Sequence, residues 1–187
     1  MTLPLYASQH IGQITTDDGQ SLNIFFGLDE NAVKQFTAYS CDLSDIELHR
    51  FTSDYKRICE GGYETWYAKE RYPYGLIASD GTLAGIIWFG PKTIPSLGDG
   101  TKTGTGETWH TFAIRLYPPY RGRRLALPFA QFVFAAHSKS FPGVPIWLDT
   151  ATENAGAIRL YQKLGFVECG QTEVGDGDGR LVMKKLE

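Results

Sequence analysis

The chain of 187 residues has 42% hydrophobic and 21% charged side chains, which excludes a disordered or fibrous protein and predicts one substantial buried core. Its net charge of -3 argues against nucleic-acid binding as the main activity. The longest apolar stretches, such as 86–89 and 132–136, are far shorter than the roughly 20 residues that span a bilayer. We therefore expect neither a nucleic-acid nor a membrane partner.

The first third of the chain predicts one strand followed by helices. Residues 20–26 have the alternation of a strand, and Asp29 is placed to cap the helix that follows. Residues 46–67 have mixed helical spacing, which Gly61-Gly62 interrupts.

The hydrophobic period changes near residue 74, where two apolar runs flank an Asp80-Gly81 turn of the type that favours hairpins. The loop 90–106 that follows is rich in Gly and Thr but lacks the Gly-Lys-Ser/Thr signature of a nucleotide-binding loop. The remaining predicted strands are 74–78, 83–89, 108–116, 144–149, 166–173 and 180–186. The remaining predicted helices are 123–140 and 154–164. This order predicts an α/β or α+β fold in which helices cover both faces of a mixed sheet.

The cysteines give no sign of a disulfide or metal framework. Cys41, Cys59 and Cys169 are an odd number at scattered positions, which fits a reducing cytoplasm. The Asp/Gly run 175–179 lacks the further carboxylates of a calcium loop and is predicted to be a turn. Residues 1–10 lack the features of a secretory signal. We expect a cytoplasmic protein without a metal site.

Charge is distributed unevenly along the chain. Residues 1–70 contain 11 acidic and 5 basic residues, whereas residues 71–187 contain 10 and 13. We expect the second part to attract a phosphate-bearing cofactor and the acidic first part to attract a cation, unless these charges are only solvated surface.

The run Leu116-Tyr-Pro-Pro-Tyr-Arg-Gly-Arg-Arg-Leu-Ala126 leads a strand through two prolines into a basic turn and a helix. The free N–H groups at that helix start, with the helix dipole and Arg121, Arg123 and Arg124 beside them, would hold a di- or polyphosphate. On these grounds alone the run could also be a basic surface cluster or a docking point for RNA.

A second run places Asn154, Ala157, Ile158 and Tyr161 on one helix face. That face begins with a polar amide and carries a phenol two turns later. Gly165 is placed to end the helix in the left-handed conformation.

These two runs together resemble a known family. Asn154-Ala-Gly-Ala-Ile-Arg-Leu-Tyr-Gln-Lys-Leu-Gly-Phe166 is similar to the closing motif of the GNAT superfamily, the acyl-CoA-dependent N-acyltransferases, and 116–126 resembles its pyrophosphate-binding signature. The order and spacing of the runs also match. The resemblance covers about residues 70–187 well and implies a GNAT-like mixed, largely antiparallel sheet. The chain departs from the family's pattern at Arg124, where a second glycine is usual.

The resemblance implies where acetyl-CoA would bind. Backbone groups of Ile114 and Leu116 would pair with the pantetheine arm and polarise the thioester carbonyl. The pyrophosphate would be held by the segment Arg121, Gly122, Arg123, Arg124, Leu125 and Ala126. Asn154 would reach the pantetheine. Tyr161 would be the general acid that protonates the departing thiolate; without the motif, a core aromatic residue would be the simpler interpretation.

The general base is less evident from the sequence. An acceptor ammonium must lose a proton before it attacks, so a carboxylate, an imidazole or a water molecule must face the thioester. Glu107 and His110 are the candidates, and each could instead be a surface or hydrogen-bonded strand residue. His137 lies among apolar helix residues and is predicted to be structural.

Acceptor choice is assigned to residues 1–70 and to the loop 90–106, and the acidity of the first segment favours a cationic amine. An aromatic group in this part of the chain could line the acceptor cleft or form core, and core is the simpler interpretation. Its members are Tyr63, Trp66, Tyr67, Tyr72 and Tyr74.

The predicted function is direct transfer of an acetyl group from acetyl-CoA to a primary amine of a small molecule or a protein. We expect residues 1–187 to form a single domain, and a homodimer is an option because many relatives are dimers. No cysteine lies in either motif, so no acyl-enzyme intermediate is expected. The alternative is an acyl-CoA-binding module that senses or scaffolds without turnover.

Overall fold

The computed structural model describes residues 3–97, 108–172 and 179–185. Within them the strands are β1 Ser8–Thr15, β2 Ser21–Gly27, β3 Tyr72–Ala78, β4 Leu83–Pro91, β5 His110–Leu116, β6 Ile146–Ala151, β7 Phe166–Gln171 and β8 Arg180–Lys185. The helices are α1 Glu30–Cys41, α2 Ile46–Phe51, α3 Tyr63–Tyr67, α4 Ala126–Ser140 and α5 Ala155–Lys163, with a π-helical segment, Tyr55–Glu60, before α3. Most of the predicted loop 90–106 and of the turn 175–179 lies outside the described residues.

The described strands form one sheet in the order β1-β2-β3-β4-β5-β6-β8-β7. Every neighbouring pair is antiparallel except β5 and β6, which are parallel. That parallel pairing covers only His110 with Ile146 and Thr111 with Trp147. The sheet is therefore mixed and largely antiparallel, as predicted, and it opens between β5 and β6.

Helices cover both faces of this sheet because its strands alternate their side chains between two cores. On one face, Tyr74 and Leu76 pack with Phe129 and Val133 of α4. On the other face, Ile86 and its β4 neighbour Trp88 pack with α1, the π-helical segment and α3. The predicted helices on both faces are confirmed. Most of the aromatic group at 63–74 is core, and Trp66 also borders the cleft described below.

The structure differs from the predicted elements most clearly at three places. Strand β1 was not predicted, because its side chains are mostly polar and half-exposed at the sheet edge and lack a clear apolar alternation. The stretch predicted as one interrupted helix, 46–67, is three short helical segments separated at Thr52 and Gly61. Helix α4 begins at Ala126 rather than at 123, since the basic turn continues through Arg124, whose φ is 59°.

The cysteine prediction was wrong. Cys41 at the end of α1 and Cys59 in the π-helical segment form a disulfide, with their Cα atoms 5.3 Å apart. Packing of these two helical elements brings the thiols together, which their spacing along the chain does not reveal. Cys169 is free. None of the described helices is both long enough and apolar enough to cross a membrane.

Candidate functional site

A cleft of about 860 Å³ opens where β5 and β6 separate. Its walls include the inner part of β5, the end of β6, the start of α5 and the segment from α2 to α3. This is the place where parallel strands diverge and where an α/β sheet ordinarily takes a ligand.

One wall of the cleft is an unpaired edge of β5. The N–H of His110 donates to Pro145 O at 3.0 Å, so the alternate residues Phe112, Ile114 and Leu116 also direct their backbone groups toward β6. The pairing of Thr111 with Trp147 occupies the backbone of Phe112, and no described residue of β6 pairs with Ile114 or Leu116. Two arginines occupy carbonyls of this edge: Arg115 Nη1 donates to Ile114 O, and Arg121 Nε donates to Leu116 O, each at 2.8 Å. The N–H groups of the edge are left to a ligand.

The second feature is a row of free N–H groups at the start of α4. Among the described residues, no acceptor faces the backbone N–H groups from Arg121 to Leu127, and Pro128 has none. No side chain caps the helix at Leu125. Buried Leu125 and Phe129 fix the turn against the core. The backbone N–H groups of this helix start are thus free, which an anion socket requires, and binding of an anion here stays a prediction.

Arg124 stands where the family pattern usually has a glycine, and its backbone is in the left-handed conformation that glycine favours. Gly122 has φ 74° and Arg124 has φ 59°, so both residues are in the left-handed region. The arginine therefore adds a side chain to the turn while its backbone takes a conformation that glycine adopts more readily.

The three arginines of the turn already have carboxylate partners. Arg121 forms a two-pronged pair with Asp45, at 2.7 and 2.6 Å. The two exposed arginines that follow reach the β1–β2 turn: Arg123 lies 3.2 Å from Asp18, and Arg124 lies 3.5 Å from Asp17. Their guanidinium groups tie the turn to residues 1–70, so a bound phosphate would rely first on the backbone N–H groups.

Helix α5 brings the predicted phenol and amide to the cleft. Tyr161 is 7% exposed, lines the cleft and packs edge-on against Phe112, and its hydroxyl has no hydrogen-bond partner among the described residues. Burial raises the pKa of Tyr161, because it disfavours the phenolate. Asn154 uses its carbonyl oxygen to cap α5, accepting from Ala157 N at 3.2 Å. Its amide nitrogen is left to contact a ligand.

Of the two candidate bases, the structure describes only His110. Glu107 lies outside the described residues. His110 is 4% exposed, and its Nδ1 lies 3.0 Å from Nε2 of His137, whose Nδ1 lies 3.2 Å from the hydroxyl of Tyr74. Burial lowers the pKa of His110, and His110 is not among the described residues that line the cleft. A catalytic role for either residue stays a prediction.

Comparison with known proteins decides the family. A family model described as "Acetyltransferase (GNAT) family" matches residues 40–166, which contain both motifs, the open β5 edge and the free N–H row. The chain belongs to the GNAT acetyltransferase family. It is accordingly an acyltransferase of the N-acetyltransferase type. No curated protein matches the chain significantly.

Several solved GNAT structures share this fold. A putative GNAT-family acetyltransferase from Bordetella pertussis is 20% identical with a TM-score of 0.63, covering 94% of this chain and 100% of its own. Spermidine N-acetyltransferase from Vibrio cholerae, solved with CoA and spermine, is 16% identical with a TM-score of 0.59 and covers 87% and 92%. Mycobacterium smegmatis RimJ, solved with CoA-disulfide, is 17% identical with a TM-score of 0.61 and covers 94% and 86%. At these identities the likeness establishes the fold.

The GNAT cleft also contains an ion pair that the sequence did not predict. Arg115 of β5 donates to both oxygens of Asp54, at 2.6 and 3.0 Å, and its guanidinium lies 4.8 Å from the ring centre of Trp88. Asp54 is 1% exposed. The pair joins the π-helical segment to the open strand. Its two residues are far apart in the sequence, so no local pattern predicted their contact.

The sign of the charge in the cleft is opposite to the sequence expectation. Nine basic but only two acidic side chains line the cleft among the described residues. Four of the five basic residues of 1–70 are among the nine, namely Arg50, Lys56, Arg57 and Lys69. The acidic residues of that segment instead cap helices or pair with arginines of the second half, as Asp45 and Asp54 do. The lining therefore does not support the expectation that the first part of the chain attracts a cation to this cleft, and the charge of the acceptor stays a prediction.

Proposed function

We propose that this GNAT protein transfers an acetyl group directly from acetyl-CoA to a primary amine. The observation that supports the proposal most strongly is the presence of unpaired backbone N–H groups at two places in one cleft, on the open edge of β5 and at the start of α4. Unpaired N–H groups at this density are a favourable environment for a diphosphate and for amide groups of a pantetheine arm.

The residues present fit this co-substrate. The diphosphate would be held by N–H groups of Arg121, Gly122, Arg123, Arg124, Leu125 and Ala126. The amide nitrogen of Asn154 and the backbone of Ile114 and Leu116 would hold the pantetheine. Bound acetyl-CoA supplies the acetyl group as an activated thioester.

Tyr161 is proposed as the general acid. Its hydroxyl is protonated at neutral pH, lines the cleft and has no described partner, so it is free to donate a proton to the thiolate as that group leaves. The N–H of Ile114 is proposed to stabilise the developing oxyanion of the acetyl carbonyl. Deprotonation of the acceptor is assigned to water in the cleft, with Glu107 and His110 as the alternatives predicted from the sequence.

The proposal extends to the whole chain. Residues 1–187 would act as one acyltransferase domain, because residues of the first part pair directly with the turn that precedes α4. The Cys41–Cys59 disulfide removes the cysteine argument for a reducing compartment, so a cytoplasmic location is proposed only because acetyl-CoA is the donor. A homodimer stays an option.

A two-step experiment tests this function. Calorimetry first measures binding of acetyl-CoA and of free CoA, and mass spectrometry then follows acetylation of a panel of small amines and peptides together with release of CoA thiol. Acceptor-dependent acetylation supports the proposal. Tight acetyl-CoA binding without consumption by any amine would instead favour the non-catalytic binding module, and absence of binding would remove both.

A further inference from the structure

Four basic side chains that line the cleft are called the basic cluster here: Arg57, Arg71, Lys92 and Arg180. They come from the π-helical segment, from the residue before β3, from the residue after β4 and from the start of β8. Burial lowers the pKa of Lys92, Asp149 opposes this, and the charges of the other three members lower the pKa further, so each of the three lies within electrostatic reach of Lys92.

Carboxylates only partly neutralise the basic cluster. Asp149 accepts a hydrogen bond from Arg180 Nε and lies 3.8 Å from Lys92 Nζ. Arg57 lies 3.7 Å from Asp54, whose two oxygens already accept hydrogen bonds from Arg115. The cluster therefore keeps an excess of positive charge inside the cleft.

Arg71 is the member without any partner. Its Nε and Nη1 atoms are buried, and no described residue accepts a hydrogen bond from them. The guanidinium lies against Gly90 of β4, where a Cβ atom would come within 2.3 Å of Nη1. Buried donor atoms without an acceptor destabilise the folded protein, so these two atoms of a half-buried, cleft-lining side chain point to a ligand that supplies the missing acceptors.

The basic cluster is separate from the proposed diphosphate site. Gly90 pairs with Thr111 at the start of the open part of β5, whereas the turn before α4 follows Leu116 at the other end. At the rise of a strand, these two ends are about 20 Å apart. The extended donor would run between them, which leaves the cluster on the side where an acceptor enters.

We propose that the basic cluster binds a carboxylate or phosphate group of the acceptor, so that the substrate is an amine that also carries an anionic group. This inference rests on the proposed acetyltransferase function and names its substrate class. A single arginine can bind a carboxylate or a phosphate with two parallel N–H donors. Three of the four members of the basic cluster are arginines, in agreement with an anionic ligand.

Matched acceptors test the proposal. The acetylation rate is measured with acetyl-CoA for alanine against alaninamide and for glucosamine 6-phosphate against glucosamine, with spermidine as a cationic acceptor. In at least one pair the anionic member should have the higher kcat/KM, and spermidine should be the poorest acceptor. The pair in which the anionic member is preferred shows whether the basic cluster binds a carboxylate or a phosphate. Equal or better turnover of neutral or cationic amines would overturn the proposal.

The variant Arg71→Gln tests the cluster itself, with Arg159→Gln, an exposed arginine of α5 outside the cleft lining, as the matched control. Arg71→Gln should raise the KM of the anionic acceptor about tenfold or more, with acetyl-CoA affinity unchanged. It should also keep or raise the melting temperature, because an unpaired charge is removed. Weaker acetyl-CoA binding in this variant would assign the cluster to the donor and overturn the inference.

A readout without turnover separates the two proposals. Inorganic phosphate, titrated onto the protein without acetyl-CoA, should shift the NMR signals of the arginine side chains in the wild type and lose this effect in Arg71→Gln. If phosphate binds in this way but no amine is acetylated, the acetyltransferase proposal fails while the anion site stands. If amines are acetylated but phosphate does not bind, the anion site fails.

Discussion

Tyr161 illustrates how a single side chain acquires a role from its surroundings. The helix α5 places its ring against Phe112 and its hydroxyl beside the open strand, without a described hydrogen-bond partner. Burial raises its pKa above the ordinary value of 10.0, so the hydroxyl stays protonated throughout the usual assay range. The packing that would make this residue a simple core aromatic also preserves the proton that it is proposed to donate.

Replacing Tyr161→Phe should lower kcat by about a hundredfold, since a positioned general acid contributes at least that factor. Acetyl-CoA affinity should change little, because the ring and its packing are kept. Stopped-flow kinetics and calorimetry measure the two quantities, with Tyr55→Phe outside the cleft lining as control. A variant with unchanged kcat would assign the proton to water.

Arg124 is strained because a residue with a Cβ atom occupies the left-handed region, at φ 59°. Arg124→Gly should therefore raise the free energy of unfolding by about 1 kcal/mol, since its exposed contact with Asp17 contributes little. Arg159→Gly, inside helix α5, should have the opposite sign. Urea denaturation measures both, and a destabilised Arg124→Gly variant would contradict the backbone described for this turn.

At the scale of elements, strands β3 and β5 are joined to α4 by a buried polar chain. Tyr74, His137 and His110 come from the three elements in turn, and His137 stacks on Phe89 with ring centres 3.8 Å apart. Burial, with the neighbouring His110 as a further cause, lowers the pKa of His137 from 6.5 to about 3. This series of buried polar side chains therefore favours neutral imidazoles, in agreement with the predicted structural role of His137.

Because the folded protein disfavours protonated His137, its contribution to stability is complete above pH 6.5 and declines as the pH falls toward 3. Between pH 6.5 and about 5, His137→Gln should reduce the slope of unfolding free energy against pH by at most about 1.4 kcal/mol per unit. Denaturant titrations at several pH values measure the slope, with His10→Gln as exposed control. An unchanged slope would show that His137 is accessible to protons in the native state.

The sequence predicted most of the sheet but not its polar edge strand. Strands β3 and β4 have apolar runs and an Asp-Gly turn, which are local signals, whereas the polar β1 becomes a strand by pairing with β2. Helix boundaries near Arg124 and Thr52 depend on backbone conformations that composition does not specify.

At the scale of the molecule, the charge asymmetry of the chain is largely resolved inside the fold. Asp17, Asp18, Asp45 and Asp54 of the first half pair with four arginines of the second half. These contacts hold α2, the β1–β2 turn and the π-helical segment around the central strands. Because these acidic side chains are paired with arginines, the basic side chains of the first part of the chain dominate its contribution to the cleft lining.

The candidate site shows the same division between local and distant information. The start of α4 and the face of α5 were predictable, since each is a short run whose spacing determines which groups come together. The Asp54–Arg115 pair and the basic cluster combine residues from distant parts of the chain, so no local pattern identified them. Net charge over the first 70 residues did not indicate the charge of the cleft, because among the described residues only Glu47 and Asp149 are acidic and line it.

The most direct test of the acetyl-CoA site is an NMR titration that follows backbone amide signals as acetyl-CoA is added. We expect the largest shifts at the amides of Arg121 to Leu127 and of Ile114, which have no acceptor in the described structure, and slower hydrogen exchange at the same amides. Shifts confined to other parts of the chain, or none at saturating acetyl-CoA, would contradict the assignment of this cleft as the donor site.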